Sequence, residues 1–144
     1  MLGSAITTTS LGIGVYRKMS TATAIDWSMA LEQVHGDQAF LKEILGDFTK
    51  ESDDAMNNIL DGMRSRQFMM VMKAAHQIKG SASYLYCMDI RRCASRLQDL
   101  GNEGMSCAEA ERHRVWTQIE NEHQNLGAYI QLLNQAITMQ YGAS

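Results

Sequence analysis

No proline interrupts the 144 residues of this chain. Proline costs a helix interior about 3 kcal/mol, so its absence leaves glycine, polar caps and hydrophobic spacing to decide where helices begin and end. The frequent residues Ala, Leu, Met, Gln and Glu are helix formers, and apolar residues recur at helical rather than strand period. Asp26 is a good N-cap for a short amphipathic helix carrying Trp27, Met29, Ala30, Leu31 and Val34, which Gly36 stops. Asp37 caps a long helix with Phe40, Leu41, Ile44, Leu45, Phe48, Met56, Ile59, Leu60 and Met63 in phase, closed by the polar connection Arg64-Ser65-Arg66. A third helix runs from about Gln67 to Tyr84 or Leu85. Asp89 reads as the cap of a fourth, whose core face is Ile90, Cys93, Ala94, Leu97 and Leu100 and which Gly101-Asn102-Glu103-Gly104 ends. Ser106-Cys107-Ala108-Glu109 has the capping-box pattern and opens a long last helix through Val115, Trp116, Ile119, Leu126, Leu133 and Ile137. Four sizeable amphipathic helices with short loops predict an all-α, antiparallel up-and-down four-helix bundle, with the short additional N-terminal helix packed across it.

The bulk numbers exclude several function classes. A net charge of −3 and a pI near 5.8 argue against nucleic acid as a partner. Cys87, Cys93 and Cys107 are odd in number and lack CxxC spacing, the usage of a reducing compartment and of small core residues. His113 and His123 lie ten residues apart without patterned cysteine or carboxylate neighbours, and His35 sits before Gly36-Asp37 at a helix junction; all three read as surface histidines, and no metal site is expected. No run approaches the roughly 18 apolar residues of a membrane span. Residues 1–22, rich in Ser, Thr and Gly with Arg17 and Lys18 as their only charges, read as a flexible N-terminal tail, and residues 23–142 as one bundle domain.

Chemistry concentrates at His76-Gln77-Ile78-Lys79-Gly80-Ser81-Ala82. At about 100° per residue, Val71, Ala74, Ile78, Ala82 and Leu85 form an apolar stripe opposite His76, while Met69, Met72, Lys73, Lys79, Gly80 and Ser83 share its face. A lone histidine is ordinarily a satisfied core or semi-buried residue, but here the core stripe lies opposite, which turns the imidazole to solvent. Residues at i+3 and i+4 are helix-surface neighbours, so a cation and a missing side chain flank the ring. Those are the needs of a nucleophile that accepts an anionic phosphoryl group and must be reached by another protein. A mid-helix glycine costs about 1 kcal/mol relative to alanine, and clearance for a docking partner is a compensating reason. Methionines on this face suit a surface that accepts several related partners.

His76-x-x-Lys79-Gly80-Ser81-Ala82, followed by Leu85, resembles the phosphoacceptor segment of histidine-containing phosphotransfer (HPt) domains. Ile25-Asp26-Trp27, Gly36-Asp37 and Phe40 to Phe48 resemble the family's opening helices, and Arg96-Leu97-Gln98-Asp99-Leu100-Gly101 resembles its fourth helix in stand-alone, yeast-like members. The resemblance covers most of the chain from Ile25 onward. It implies a phosphocarrier that is itself phosphorylated rather than an enzyme, with His76 as phosphoacceptor, Lys79 as the cation beside the phosphoryl group, Gly80 as the clearance position and Gln98 as a hydrogen-bonding partner of the histidine region. It implies no cofactor of its own, since the Mg2+ belongs to the receiver. The implied partners are receiver domains of hybrid histidine kinases and of response regulators, met by a monomer moving between cytoplasm and nucleus. One position departs from the pattern: Tyr86 stands where the family usually carries a glycine, so this tyrosine either takes a positive φ or the helix ends differently.

On this reading a neutral imidazole nitrogen attacks the phosphorus of a receiver's aspartyl phosphate, with Lys79 and Lys73 facing the phosphoryl oxygens. Docking would use apolar surface beside the histidine, with Met29, Phe40, Met69 and Met72 as candidates and Ser83 and Gln98 as polar contacts. Two rivals exist: a scaffold that binds receivers without carrying phosphate, which would be expected to lack the histidine, and an ATP-using histidine kinase, for which no glycine-rich nucleotide loop is present.

Overall fold

The computed structural model describes residues 19–142. Among these, α1 spans Trp27–Gln33, α2 Gln38–Ser65, α3 Phe68–Tyr84, α4 Met88–Ser106 and α5 Arg112–Tyr141, with 3-10 turns at Thr21–Thr23 and Glu109–Glu111 and no strand. Helices α2 to α5 each pack on their chain neighbours, and α5 returns against α2 to close the ring. The register is antiparallel. Tyr141 donates to Gln38 Oε1 at one end of the α2–α5 pair, and His123 Nε2 lies 3.0 Å from the Met56 carbonyl further along it. The expected four-helix bundle with an extra N-terminal helix is therefore what the chain forms.

The seam of α2 explains how the core is assembled. Its buried residues Leu41, Leu45, Phe48, Ser52, Ala55, Ile59 and Gly62 alternate steps of four and three, the spacing that keeps one narrow face toward neighbouring helices. Phe40 and Ile44 fall off this seam, and Phe40 is 45% exposed. Both aspartate caps form as predicted: Asp26 accepts from the Met29 N–H at 3.1 Å and Asp37 from the Phe40 N–H at 3.0 Å.

Helix α4 departs from the sequence reading at both ends. It begins at Met88 with Cys87 in the cap position. Asp89 is instead a buried first-turn residue that pairs with Arg92 and accepts from the Thr23 hydroxyl. Its other end runs through Gly101 and Gly104, which are not terminators. A Cβ on Gly101 would lie 2.9 Å from Met72 Cβ and 3.0 Å from its backbone nitrogen, and one on Gly104 would lie 2.2 Å from the Phe68 ring. These glycines exist so that α3 and α4 can approach closely. Ser106 is no N-cap either: its hydroxyl reaches back to the Asn102 and Glu103 carbonyls, and α5 begins only at Arg112 after the 3-10 turn.

Three helix ends share one backbone device. At the ends of α1, α2 and α3 a six-residue hydrogen bond closes the turn: Gly36 N–H to Leu31 O at 2.9 Å, Gln67 N–H to Gly62 O at 2.8 Å, and Cys87 N–H to Ala82 O at 2.9 Å. This is the Schellman closure, whose penultimate residue sits in the left-handed region. Here those residues are His35, Arg66 and Tyr86, with φ of 56°, 57° and 58°. Tyr86 thus adopts the positive φ, and its carbonyl accepts from Asp26 N–H at 3.1 Å, tying the turn to the start of α1. Left-handed backbone costs a non-glycine residue about 1 kcal/mol or more, part of which a glycine returns as unfolded-state entropy. His35 is exposed, so His35→Gly should stabilise the fold by roughly 0.5–1 kcal/mol, read as a raised midpoint in urea. Tyr86→Gly should gain less, because its half-buried ring is lost.

The packed part of the chain reaches back past the boundary drawn at residue 22. Met19 is 1% exposed, and only residues 1–18 of the expected tail lie outside the described residues. His123 is a strut between α5 and α2 rather than a surface residue; since a carbonyl only accepts, its Nε2 carries the proton. Cys87 and Cys93 are buried and Cys107 half-buried, as small core residues. Burial, and then the Asp89 carboxylate, push the Cys87 thiol up to about 12, which leaves it un-ionised and unreactive at neutral pH.

Candidate functional site

Helix α3 buries Val71, Ala74, Ala75, Ile78 and Ala82 and so turns the opposite face outward. His76 stands midway along it, exposed, and forms no hydrogen bond among the described residues. Eight residues separate it from either end, about 12 Å of helix at 1.5 Å per residue, so the ring rises from a rigid rod. Lys73 is exposed and Lys79 half-buried within a turn on either side. Gly80 is open: a Cβ there would meet nothing within 4 Å. That separates it from Gly101 and Gly104, whose missing side chains are filled by a neighbouring helix.

The flanks of His76 are unlike each other. On the α2 side runs a groove of about 420 Å³, lined by Phe40, Ile44 and Tyr84 with Gly80 in its wall and the carboxylates of Asp47 and Glu51 at its rim. Tyr84 is held there by α1: its carbonyl accepts from Gln33 Nε2 at 3.0 Å and its hydroxyl donates to the Gln33 carbonyl at 3.4 Å. On the α4 side Met72 abuts Gly101, and Ser83 Oγ accepts from Arg91 Nε at 2.8 Å. Pairing Phe68 with Gly104, Met72 with Gly101 and Ser83 with Arg91 fixes the antiparallel register of α3 against α4. In that register Gln98 falls at the level of His76. Gln98 is half-buried, and its Oε1 is enclosed without a hydrogen-bond partner. A buried acceptor left unpaired costs about 1–3 kcal/mol.

Of the candidate docking residues, Met69 is exposed at 46%, Phe40 is exposed, and Met72, Met29 and Ser83 are half-buried. Met69, Met72, Lys73, Lys79, Gly80 and Ser83 therefore share the His76 face of α3, whereas Met29 belongs to α1. Sequence reasoning missed Ile44, Tyr84 and the acidic rim of Asp47 and Glu51. The signal for Ile44 was available, since it falls outside the four-three seam of α2.

The protein-family model of the Hpt domain matches residues 43–136. The chain belongs to the Hpt domain family. No curated protein matched the sequence. Hpt domains serve histidine phosphotransfer in two-component phosphorelays, interact with receiver domains of kinases and response regulators, and are phosphocarriers rather than enzymes. In this Hpt domain the matched segment contains α3, α4, most of α2 and most of α5, so His76 lies well inside it. No helix among the described residues is long and apolar enough to cross a membrane, and no cluster of three metal-ligating side chains occurs among them.

Proposed function

We propose that this protein is the histidine intermediate of a multistep phosphorelay, taking a phosphoryl group from one receiver aspartate onto His76 and passing it to another. The observation that carries the reading is an unengaged, solvent-facing imidazole at the centre of a rigid helix, with open space over Gly80. The Nε2 lone pair attacks the phosphorus of the aspartyl phosphate; a P–N bond forms as the P–O bond to the aspartate breaks, and the carboxylate leaves with the electron pair. Phosphoryl transfer asks a protein mainly for positioning and charge stabilisation. Lys79, with Lys73 on the other side, meets the equatorial oxygens, and Gln98 offers its unpaired Oε1 to the Nδ1–H, which fixes the tautomer and leaves Nε2 free. The protein brings no cofactor; Mg2+ comes with the receiver. The receivers are those of hybrid histidine kinases and of response regulators, and they dock over Met69, Met72, Ser83 and the Phe40–Tyr84 groove, with Met29 at the margin of the interface. The protein acts as a monomer, in the cytoplasm and nucleus.

The test is transfer of label from a phosphorylated receiver. The expected product is acid-labile and base-stable, the signature of a phosphohistidine. Lys79→Ala should slow the transfer about tenfold, with receiver binding changed far less, because the lost charge acts on the transferring group. Tight receiver binding without any label would instead favour a scaffold.

A further inference from the structure

The end of the bundle where α2 turns into α3 and α5 begins carries a second feature. Two adjoining cavities, of about 280 and 510 Å³, share Arg66, His113 and Trp116 as walls. Arg64 lines the first and Arg112 the second. Their floor is apolar: Trp116 is buried and stacks on Phe68, ring centroids 4.0 Å apart, in the space that Gly104 leaves open. The Arg66 guanidinium lies over the Trp116 ring at 5.3 Å and divides the two cavities.

The charge here runs against that of the molecule, which is −3 overall. Arg64, Arg66 and Arg112 are exposed and have no ion-pair partner among the described residues. Two of the neighbouring acids are already engaged: Arg114 takes both Glu103, at 2.6 Å, and Glu111, at 2.9 Å. Only Glu120 adds a carboxylate to the cavity walls. Guanidinium groups pair with carboxylates in planar, two-point fashion, and an aromatic floor adds apolar contact area.

We propose that this end of the bundle is a docking site for an acidic peptide segment of a partner protein, one that alternates carboxylate and aliphatic side chains. Charge complementarity selects an anionic occupant. The division into two apolar-floored cavities selects a chain that lays one side chain on each side of Arg66, rather than a single compact anion. The site lies about two turns of α3 from His76, so a partner could be tethered there while the histidine face stays free.

The chain has two tryptophans, Trp27 and Trp116, so Trp27→Phe leaves Trp116 as the sole reporter beneath the site. Its fluorescence would be titrated with a capped Glu-Leu alternating peptide, a Lys-Leu counterpart, inorganic phosphate and anionic phospholipid vesicles, with labelled peptides followed by anisotropy in parallel. The expected result is saturable binding of the acidic peptide, weakened by salt and about tenfold weaker in Arg66→Gly and in Arg112→Ala, or about 1.4 kcal/mol for each lost guanidinium. Arg66→Gly keeps the left-handed turn, so loss of binding in it does not reflect unfolding. No saturable signal with the acidic peptide, equal binding of the lysine peptide, or unchanged affinity in both variants would overturn the proposal. So would saturation by phosphate alone, which would make this a small-anion site, or binding of vesicles without the peptide, which would make it a membrane contact.

Discussion

His76→Gln is expected to abolish phosphoryl acceptance completely while leaving the fold untouched. The glutamine amide nitrogen has its lone pair delocalised into the carbonyl and forms no phosphoramidate, so labelled receiver should lose its phosphate by background hydrolysis only. Stability should barely move, because His76 is exposed and forms no hydrogen bond among the described residues, and surface substitutions of that kind fall within about 0.5 kcal/mol. Coincident thermal unfolding curves alongside a silent transfer assay would show both. Residual label on the variant would place the acceptor elsewhere. His123 is a poor alternative, half-buried with its Nε2 committed to the Met56 carbonyl.

The second large effect concerns glycines that look alike in the sequence. Gly104→Ala should destabilise the protein by about 3 kcal/mol, at the upper end for overpacking, and lower its melting temperature by about 10 °C. The new methyl would sit 2.2 Å from a Phe68 ring that has Trp116 stacked on it, so the stacked pair must shift to make room. Gly101→Ala should also be costly, because the obstructing atoms include Met72 backbone and the two helices must part. Gly80→Ala should do the reverse: with nothing within 4 Å of the new Cβ, helix propensity gives about 1 kcal/mol of added stability. Its cost should fall on receiver docking instead. Calorimetry of the three variants separates these cases, and a stabilised Gly104→Ala would refute the close-packing account of α3 against α4.

The glycine contrast also marks where sequence reading succeeds and where it stops. The apolar stripe of α3 is a property of that helix alone, so its phase predicted an outward His76, and Asp26 and Asp37 cap their own helices through local hydrogen bonds. Gly101 and Gly104 were read as stops because a glycine is locally a weak helix former; their purpose is set by Met72 and Phe68, some thirty residues away in the chain. Ser106 carried a valid capping pattern, yet its hydroxyl had a competing local partner in the carbonyls behind it, and that arrangement won. Gln98 was reached only through family resemblance. Its level with His76 depends on the α3–α4 register, which the packing of those two glycines sets and no single-helix periodicity reveals.

His76 stands eight residues from either end of α3. The turns at the two ends of α3 lie about 12 Å along its axis from the imidazole. On the proposed function, a phosphoramidate formed there stands on an exposed face of α3, and its lifespan becomes a clock that starts at loading. Delivery is then a race between hydrolysis and encounter. In a relay of the proposed kind, the abundance of the next receiver then decides how much of the message arrives.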